Sequence, residues 1–308
     1  MIKNVVVSPI KPLLVRKKVA IKSTPTVQII RPQEPKVIRL QDLQRLQRPA
    51  TNPAIVVQPK HLKRQPGVKK KTTVKYCTYD PMPGSLENIK SVQSKGRGKI
   101  LVIVANGPSV SEAPLDQLLT IPNVETLTLN CPDQRIWPTT YWAFFDRSQF
   151  TRHEKFWDNY EGYIFNSTSI KRQKTKSMQF KNQGGYGWSR DLTKNIFVGR
   201  SSAYAAMQIA QWMQFAHVYI FGVDMNPDGL NGKLHFYGVN PDVDPATRAI
   251  RFQGESVYYD KAAEVLTDME RSKFTFKTDY NPWLFIQKFN HATHKNVDDI
   301  RERAQSLK

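Results

Sequence analysis

Five polar residues close apolar runs in this chain: Asn106, Asn130, Asp146, Asn166 and Asp224. Their side chains suit a ligand rich in hydroxyls and carbonyls, such as a nucleoside. The first of them opens Asn106-Gly107-Pro108-Ser109, directly after the run KILVIVA at 99–105. A glycine there permits close backbone approach, the proline stiffens the turn, and Asn106 and Ser109 can donate to phosphate or ribose oxygens. Each Asn or Asp taken singly is an ordinary turn former; the signal is their recurrence where apolar runs stop. Neither GxGxxG nor GxxxxGK followed by Ser or Thr occurs, so a dinucleotide fingerprint and a P-loop are both absent.

The elements that must present these groups follow from the pattern of apolar residues. KILVIVA is continuous and rich in β-branched residues, which predicts a parallel strand buried on both faces. VETLTLN at 124–130, TYWAFFD at 140–146, YIFN at 163–166 and HVYIFGVD at 217–224 predict further strands. GRSSAYAAMQIAQWMQF at 199–215 predicts a helix that opens on serines suited to the N-cap, with Ala203, Ala206, Met207, Ala210 and Met213 on one face. Strands alternating with helices give an open α/β sheet, and such sheets bind ligands outside the carboxyl ends of their strands.

Composition divides the chain. Residues 1–96 hold 20 Lys or Arg against 4 Asp or Glu, whereas the remaining 212 residues hold 26 against 22. The first part also has 11 of the 20 prolines and only two aromatics, Tyr76 and Tyr79. Such a segment cannot bury enough apolar surface to offset chain entropy, so 1–96 is expected to be a disordered basic arm and 97–308 the folded domain. IRLQDLQRLQ at 38–47 is the arm's one helical candidate, too short to be stable alone in water. The clusters Arg16–Lys18, Lys60–Arg64 and Lys69–Lys71 suit an anionic polymer such as DNA or a glycan, or serve only as a solubilising tail. No run approaches the roughly 18 apolar residues of a membrane span, and no signal-peptide apolar core is present, so a soluble cytoplasmic protein is expected. Cys77 and Cys131 form neither a disulfide framework nor a metal pair.

In order along the chain, KILVIVANGPSV, LTLN, GRSSAYAAMQIA and VYIFGVD resemble the bacterial family 42 sialyltransferases and their flagellin-glycosylation and phage-encoded relatives. The resemblance covers roughly 99–278 as a pattern of motifs. It implies a Rossmann-like domain, a cytidine monophosphate sugar as donor, no cofactor, and no requirement for metal. It places Asn106, Gly107 and Ser109 against the donor nucleotide and phosphate, Asn130 near the cytidine, Ser201 and Ser202 at the nucleotide's polar groups, and Asp224 after the late strand. Bacterial or phage-infected host cytoplasm is the implied setting.

The chain departs from the family where catalysis is concerned. The family's general base is a histidine shortly before its last helix, and Glu255 stands in that place, within QGESVYYDKAAEVL at 253–266. His235, in KLHFYG, is the nearest imidazole in sequence. The family's phosphate-steadying tyrosines have no clean match after Asp224, and Tyr237, Tyr258 and Tyr259 substitute by type only. Trp188 with Tyr186 is a candidate acceptor cap or ordinary packing. Glu154 and Asp158 read as a solvated helix face, Asp224, Asp228, Asp242 and Asp244 lack calcium-loop spacing, and His291 and His294 read as surface residues. Two functions remain open: a sialyltransferase-like glycosyltransferase, with Glu255 or His235 as base, or a catalytically inactive phage-type protein, associated with nucleic acid or particles, that acts through its basic arm.

Overall fold

The computed structural model describes residues 80–238 and 243–307, all within one compact unit, Thr72–Lys308. The basic clusters, the helical candidate at 38–47, Cys77 and Asp242 lie outside the described residues.

Among the described residues, ten strands and six α-helices follow one another. In chain order they are α1 (Ser85–Ser91), β1 (Ile100–Val104), β2 (Val124–Leu129), β3 (Tyr141–Phe144), α2 (Arg147–His153), β4 (Tyr163–Ser167), β5 (Ser177–Phe180), β6 (Asn182–Gln183), β7 (Ile196–Phe197), α3 (Ser202–Trp212), β8 (His217–Phe221), α4 (Pro245–Val265), α5 (Asp268–Arg271), β9 (Phe274–Lys277), β10 (Asn290–Ala292) and α6 (Asp298–Ser306). Eight strands form one sheet in the order β10-β9-β8-β1-β2-β3-β4-β5, and every neighbouring pair in it is parallel. The fold is therefore α/β and Rossmann-like, with helices on the sheet's faces. The five expected strands are β1, β2, β3, β4 and β8, and the expected helix is α3.

The period of two along each strand divides the core. Leu101 and Ile103 of β1 and Val218 and Ile220 of β8 face α3 and α4, packing with Ala206, Met207, Tyr259 and Ala263. Ile100, Val102, Val104, Tyr219 and Phe221 face the other way, against Val110, Leu115, Leu118 and Ile300 of α6. On that second face, Trp142, Phe144 and Ile164 pack with Phe150 of α2 and with Trp157 and Tyr160. Because both faces are covered, the central strands read as continuous apolar runs.

α3 is buried almost all round, residues 203–210 without a break. Its one buried polar side chain, Gln208, uses its whole hydrogen-bonding capacity. The Nε2 donates to Phe197 O (2.6 Å) and Tyr204 O (3.1 Å), and the Oε1 accepts from Ser189 N (3.0 Å) and Phe197 N (3.2 Å). Gln208 thus fastens the loop before α3 onto the helix that opens at Ser202.

The folded unit does not begin after Gly96. Residues 80–96 carry α1, and Ile89 within it and Val92 just after it are buried. Asn88 Nδ2 donates to Thr175 O (2.8 Å) and Ser177 O (2.9 Å), and Trp212 Nε1 donates to Ile89 O (3.0 Å). This segment covers the free edge beside β5, as an exposed parallel edge requires. The expected boundary fails because composition averaged over 96 residues hides a short apolar periodicity at its end.

Replacing Gln208 with Ala strands two buried N–H groups and one non-helical carbonyl. A loss on the order of 3 kcal/mol of unfolding free energy is expected, measured by urea denaturation. A loss below about 1 kcal/mol would show that α3 does not need this anchor.

Candidate functional site

β1 and β8 are adjacent, but the chain leaves β1 toward β2 and leaves β8 toward β9, on opposite sides. The loops beyond their carboxyl ends therefore diverge, and a crevice opens between them. A cavity of about 590 Å³ lies there. Asn106, Gly107, Asn130, Ser201, Ser202, Asp224, His235 and Glu255 all line it. Ser109 does not, being wholly buried.

What joins the two loops is a buried carboxylate. Asp224 accepts from Ser109 N at Oδ2 (2.8 Å), and from Ser109 Oγ (2.7 Å) and Thr278 Oγ1 (2.8 Å) at Oδ1. These bonds compensate the desolvation of an anion that is only 2% exposed. Ser109 and Asp224 are thus spent on each other, and their role is to position the loops. Gly107 serves the same closure, since its N–H donates to Gly222 O (2.9 Å). A Cβ on Gly107 would stand 2.4 Å from Asp224 Oδ2 and 2.5 Å from Gly222 O. Here the glycine admits the protein's own backbone, where the sequence suggested a ligand.

Along the cavity runs a polar chain. Asn130, held at φ 52°, donates from Nδ2 to Asn106 Oδ1 (3.1 Å), Asn106 Nδ2 donates to Cys131 O (3.2 Å), and Ser202 Oγ donates to Asn130 Oδ1 (3.4 Å). Ser201 is the N-cap of α3, yet its side chain makes no cap bond; its hydroxyl lies 2.9 Å from that of Tyr259. The first N–H groups of α3 therefore lack a side-chain cap, the arrangement that receives anions at helix starts.

His235 and Glu255 stand in different environments. The Asn106 carbonyl accepts from Phe236 N (3.1 Å) and lies 3.3 Å from His235 Nδ1. A carbonyl can only accept, so this contact places the proton on Nδ1 and leaves a lone pair on Nε2. Burial, together with the nearby Arg251 and Arg152, holds the imidazole pKa below its usual 6.5. Tyr237 stacks on the ring at 5.1 Å between centroids. Glu255 is buried, its Oε1 accepting from Arg251 Nε at 2.9 Å. Burial raises its carboxyl pKa, opposed by the Arg251 and Arg200 charges.

Sequence reasoning missed four arginines on the rim: Arg147 and Arg152 of α2, Arg200 before α3, and Arg251 of α4. Only the fold brings them together. Asp146 also lines the cavity and caps α2 through Ser148 N (2.7 Å). Asn166, at the end of β4, is fully buried and outside the cavity lining.

Other expectations change with the structure. His294 is not a surface residue: it is fully buried, with Nε2 3.2 Å from Glu112 Oε2 and Nδ1 3.0 Å from Asp279 Oδ2. His291 is exposed, as expected. Trp188 packs edge-on against Tyr204 and Phe274, its indole N–H bonded to Gln211, while Tyr186 lies exposed against Tyr258. Glu154 and Asp158 pair with Arg172 at the surface. Among the described residues, no group of three or more His, Cys, Asp or Glu is placed to hold a metal ion, and no helix is long and apolar enough to cross a membrane.

Asp224→Asn puts an amide N–H₂ against a buried donor, and Gly107→Ala forces a Cβ onto backbone. Each is expected to cost about 2 kcal/mol or more in urea unfolding. Stability within about 0.5 kcal/mol of the natural chain in both variants would remove the buried carboxylate from its place in the fold.

No family model, no curated protein and no solved structure matches this chain.

Proposed function

We propose that the cavity binds a nucleotide sugar, a cytidine monophosphate sugar on the family resemblance, and that the protein transfers the sugar to an acceptor hydroxyl. The observation that carries this reading is the convergence, in one switch-point crevice, of the uncapped start of α3, the Asn106–Asn130–Ser202 chain and four arginines. That surface offers N–H, hydroxyl and amide groups to a nucleoside, and positive charge to its phosphate.

In such a transfer the bond from the anomeric carbon to the phosphate oxygen breaks, and a bond from the acceptor oxygen to that carbon forms. The acceptor proton passes to a base, and the nucleoside monophosphate leaves as an anion. His235 fits the base better than Glu255. Its Nε2 carries the lone pair, and its lowered pKa keeps the ring neutral at pH 7. One carboxylate oxygen of Glu255 is already held by Arg251. The Asn106 backbone carbonyl thereby fixes the tautomer of the base.

A second reading keeps the fold and drops the chemistry, leaving a phage-type protein that acts on nucleic acid or a particle through its arm. It is favoured by the charge of residues 1–96, 20 Lys or Arg against 4 Asp or Glu. In the first reading the same arm holds the enzyme on an anionic acceptor such as DNA or a glycan.

Hydrolysis of a cytidine monophosphate sugar, followed against pH, tests the base. A base whose pKa lies below 6.5 is deprotonated above that value, so the rate should be flat near pH 7 and fall as pH drops through the depressed pKa. His235→Gln should lower the rate by about 100-fold or more, and Glu255→Gln should leave the acid limb in place. A rate that His235→Gln does not change would exclude this base.

A further inference from the structure

The corner of the cavity where α4 passes the start of α3 holds two arginines and one buried carboxylate. Arg200 has the left-handed backbone angle φ 59°, directly after Gly199 at φ 60°. Such a conformation disfavours a residue with a Cβ, and where the surroundings enforce it the strain commonly sits at a binding site. The turn carries the Arg200 side chain across to α4, where Nη1 lies 3.4 Å from the position a Cβ on Gly254 would take. Gly254 is itself a helix-interior glycine, a choice that costs about 1 kcal/mol relative to alanine. On the same helix Arg251, one turn before Gly254, and Glu255, next to it, are joined at 2.9 Å.

The charges do not balance within the protein. Glu255 pairs with Arg251 through one oxygen, Asp224 is consumed by Ser109 and Thr278, and Asp146 caps α2. Among the described residues, no hydrogen bond or salt bridge engages the Arg200 guanidinium. Arg200, carried to the cavity by a strained turn, and Arg251, bonded to a buried carboxylate, both line it, and each guanidinium offers the fork of N–H donors that receives phosphate oxygens.

We propose that Arg200 and Arg251 form a phosphate clamp that binds the phosphate of the nucleotide ligand and neutralises it as a leaving group. This assignment rests on the nucleotide reading of the cavity. Glu255, by this assignment, fixes Arg251.

The test uses the full chain and three probes, cytidine monophosphate, cytidine and inorganic pyrophosphate, with dissociation constants from calorimetry. The variants are Arg200→Gly and Arg251→Gln. Glycine accepts φ 59° without strain, so the melting temperature of Arg200→Gly without ligand should not fall. The natural chain should bind the monophosphate at least about tenfold more tightly than cytidine, and each variant should lose most of that preference while its affinity for cytidine stays within about twofold. If both variants keep the full preference, the clamp is wrong and the nucleotide reading stands. Pyrophosphate binding that depends on both arginines, with no binding of either cytidine compound, would keep the clamp and overturn the nucleotide reading. Absence of binding by all three probes would overturn both.

Discussion

The carboxylate of Asp224 is the interaction on which the rest of the site depends. A parallel sheet whose order turns at β1 and β8 leaves two loops diverging from adjacent strand ends, and the backbone bonds between them stop at Gly107 N to Gly222 O. Asp224 supplies the link, bonding the backbone and side chain of Ser109 on one side and Thr278 beyond β9 on the other. Gly107 and Gly222 supply the space, the first by lacking a Cβ, the second by adopting φ 74°. With the loops fixed, the Asn106 carbonyl has a fixed direction, and it is this carbonyl that meets His235. The orientation of the candidate base is thus set by a buried anion that does not itself need to touch a ligand.

Charge around the cavity is arranged on walls of different origin. Arg147 and Arg152 come from α2, while Arg200 and Arg251 come from the starts of α3 and α4, so positive potential converges on a crevice whose floor is made of amides and hydroxyls. At the amino ends of β1, β8 and β9, the cavity of about 300 Å³ lined by Arg97, Gln211, Gln214 and Glu270 has a different character. There Arg97 bonds Gln214, Gln211 bonds Glu270, and Arg190 pairs with Glu270, holding that carboxyl down to about 2. Its polar groups satisfy one another, whereas in the switch-point crevice the first N–H groups of α3 have no side-chain cap and, among the described residues, no hydrogen bond or salt bridge engages the Arg200 guanidinium. That difference is why ligand binding is assigned to the carboxyl ends of the strands.

The central strands and α3 were legible in the sequence because burial on both sides leaves long apolar runs. β5, SMQF, and β9, FTFK, were not, since each is four residues long and mixes polar with apolar side chains. Asn106, Asn130, Ser201 and Ser202 line the cavity, and their positions after strands or at a helix start are local signals that a sequence carries. The four rim arginines had no local signal, because an arginine on a loop or helix surface looks the same in sequence whether it faces solvent or a cavity. His294 was misread for the same reason. One of its partners, Glu112, is 182 residues away, and only the return of the chain from β10 past the β1 loop brings them together. The sequence points Ser109 and Gly107 at a ligand, whereas the contacts that demand them are within the protein.

The most direct measurement is the position of cytidine monophosphate in a crystal of the protein soaked with it. The phosphate is expected between Arg200, Arg251 and the start of α3, with the nucleoside along Asn106 and Asn130. A nucleotide bound at the amino ends of the strands, near Arg97 and Glu270, or a switch-point cavity that stays empty at saturating nucleotide, would contradict this placement.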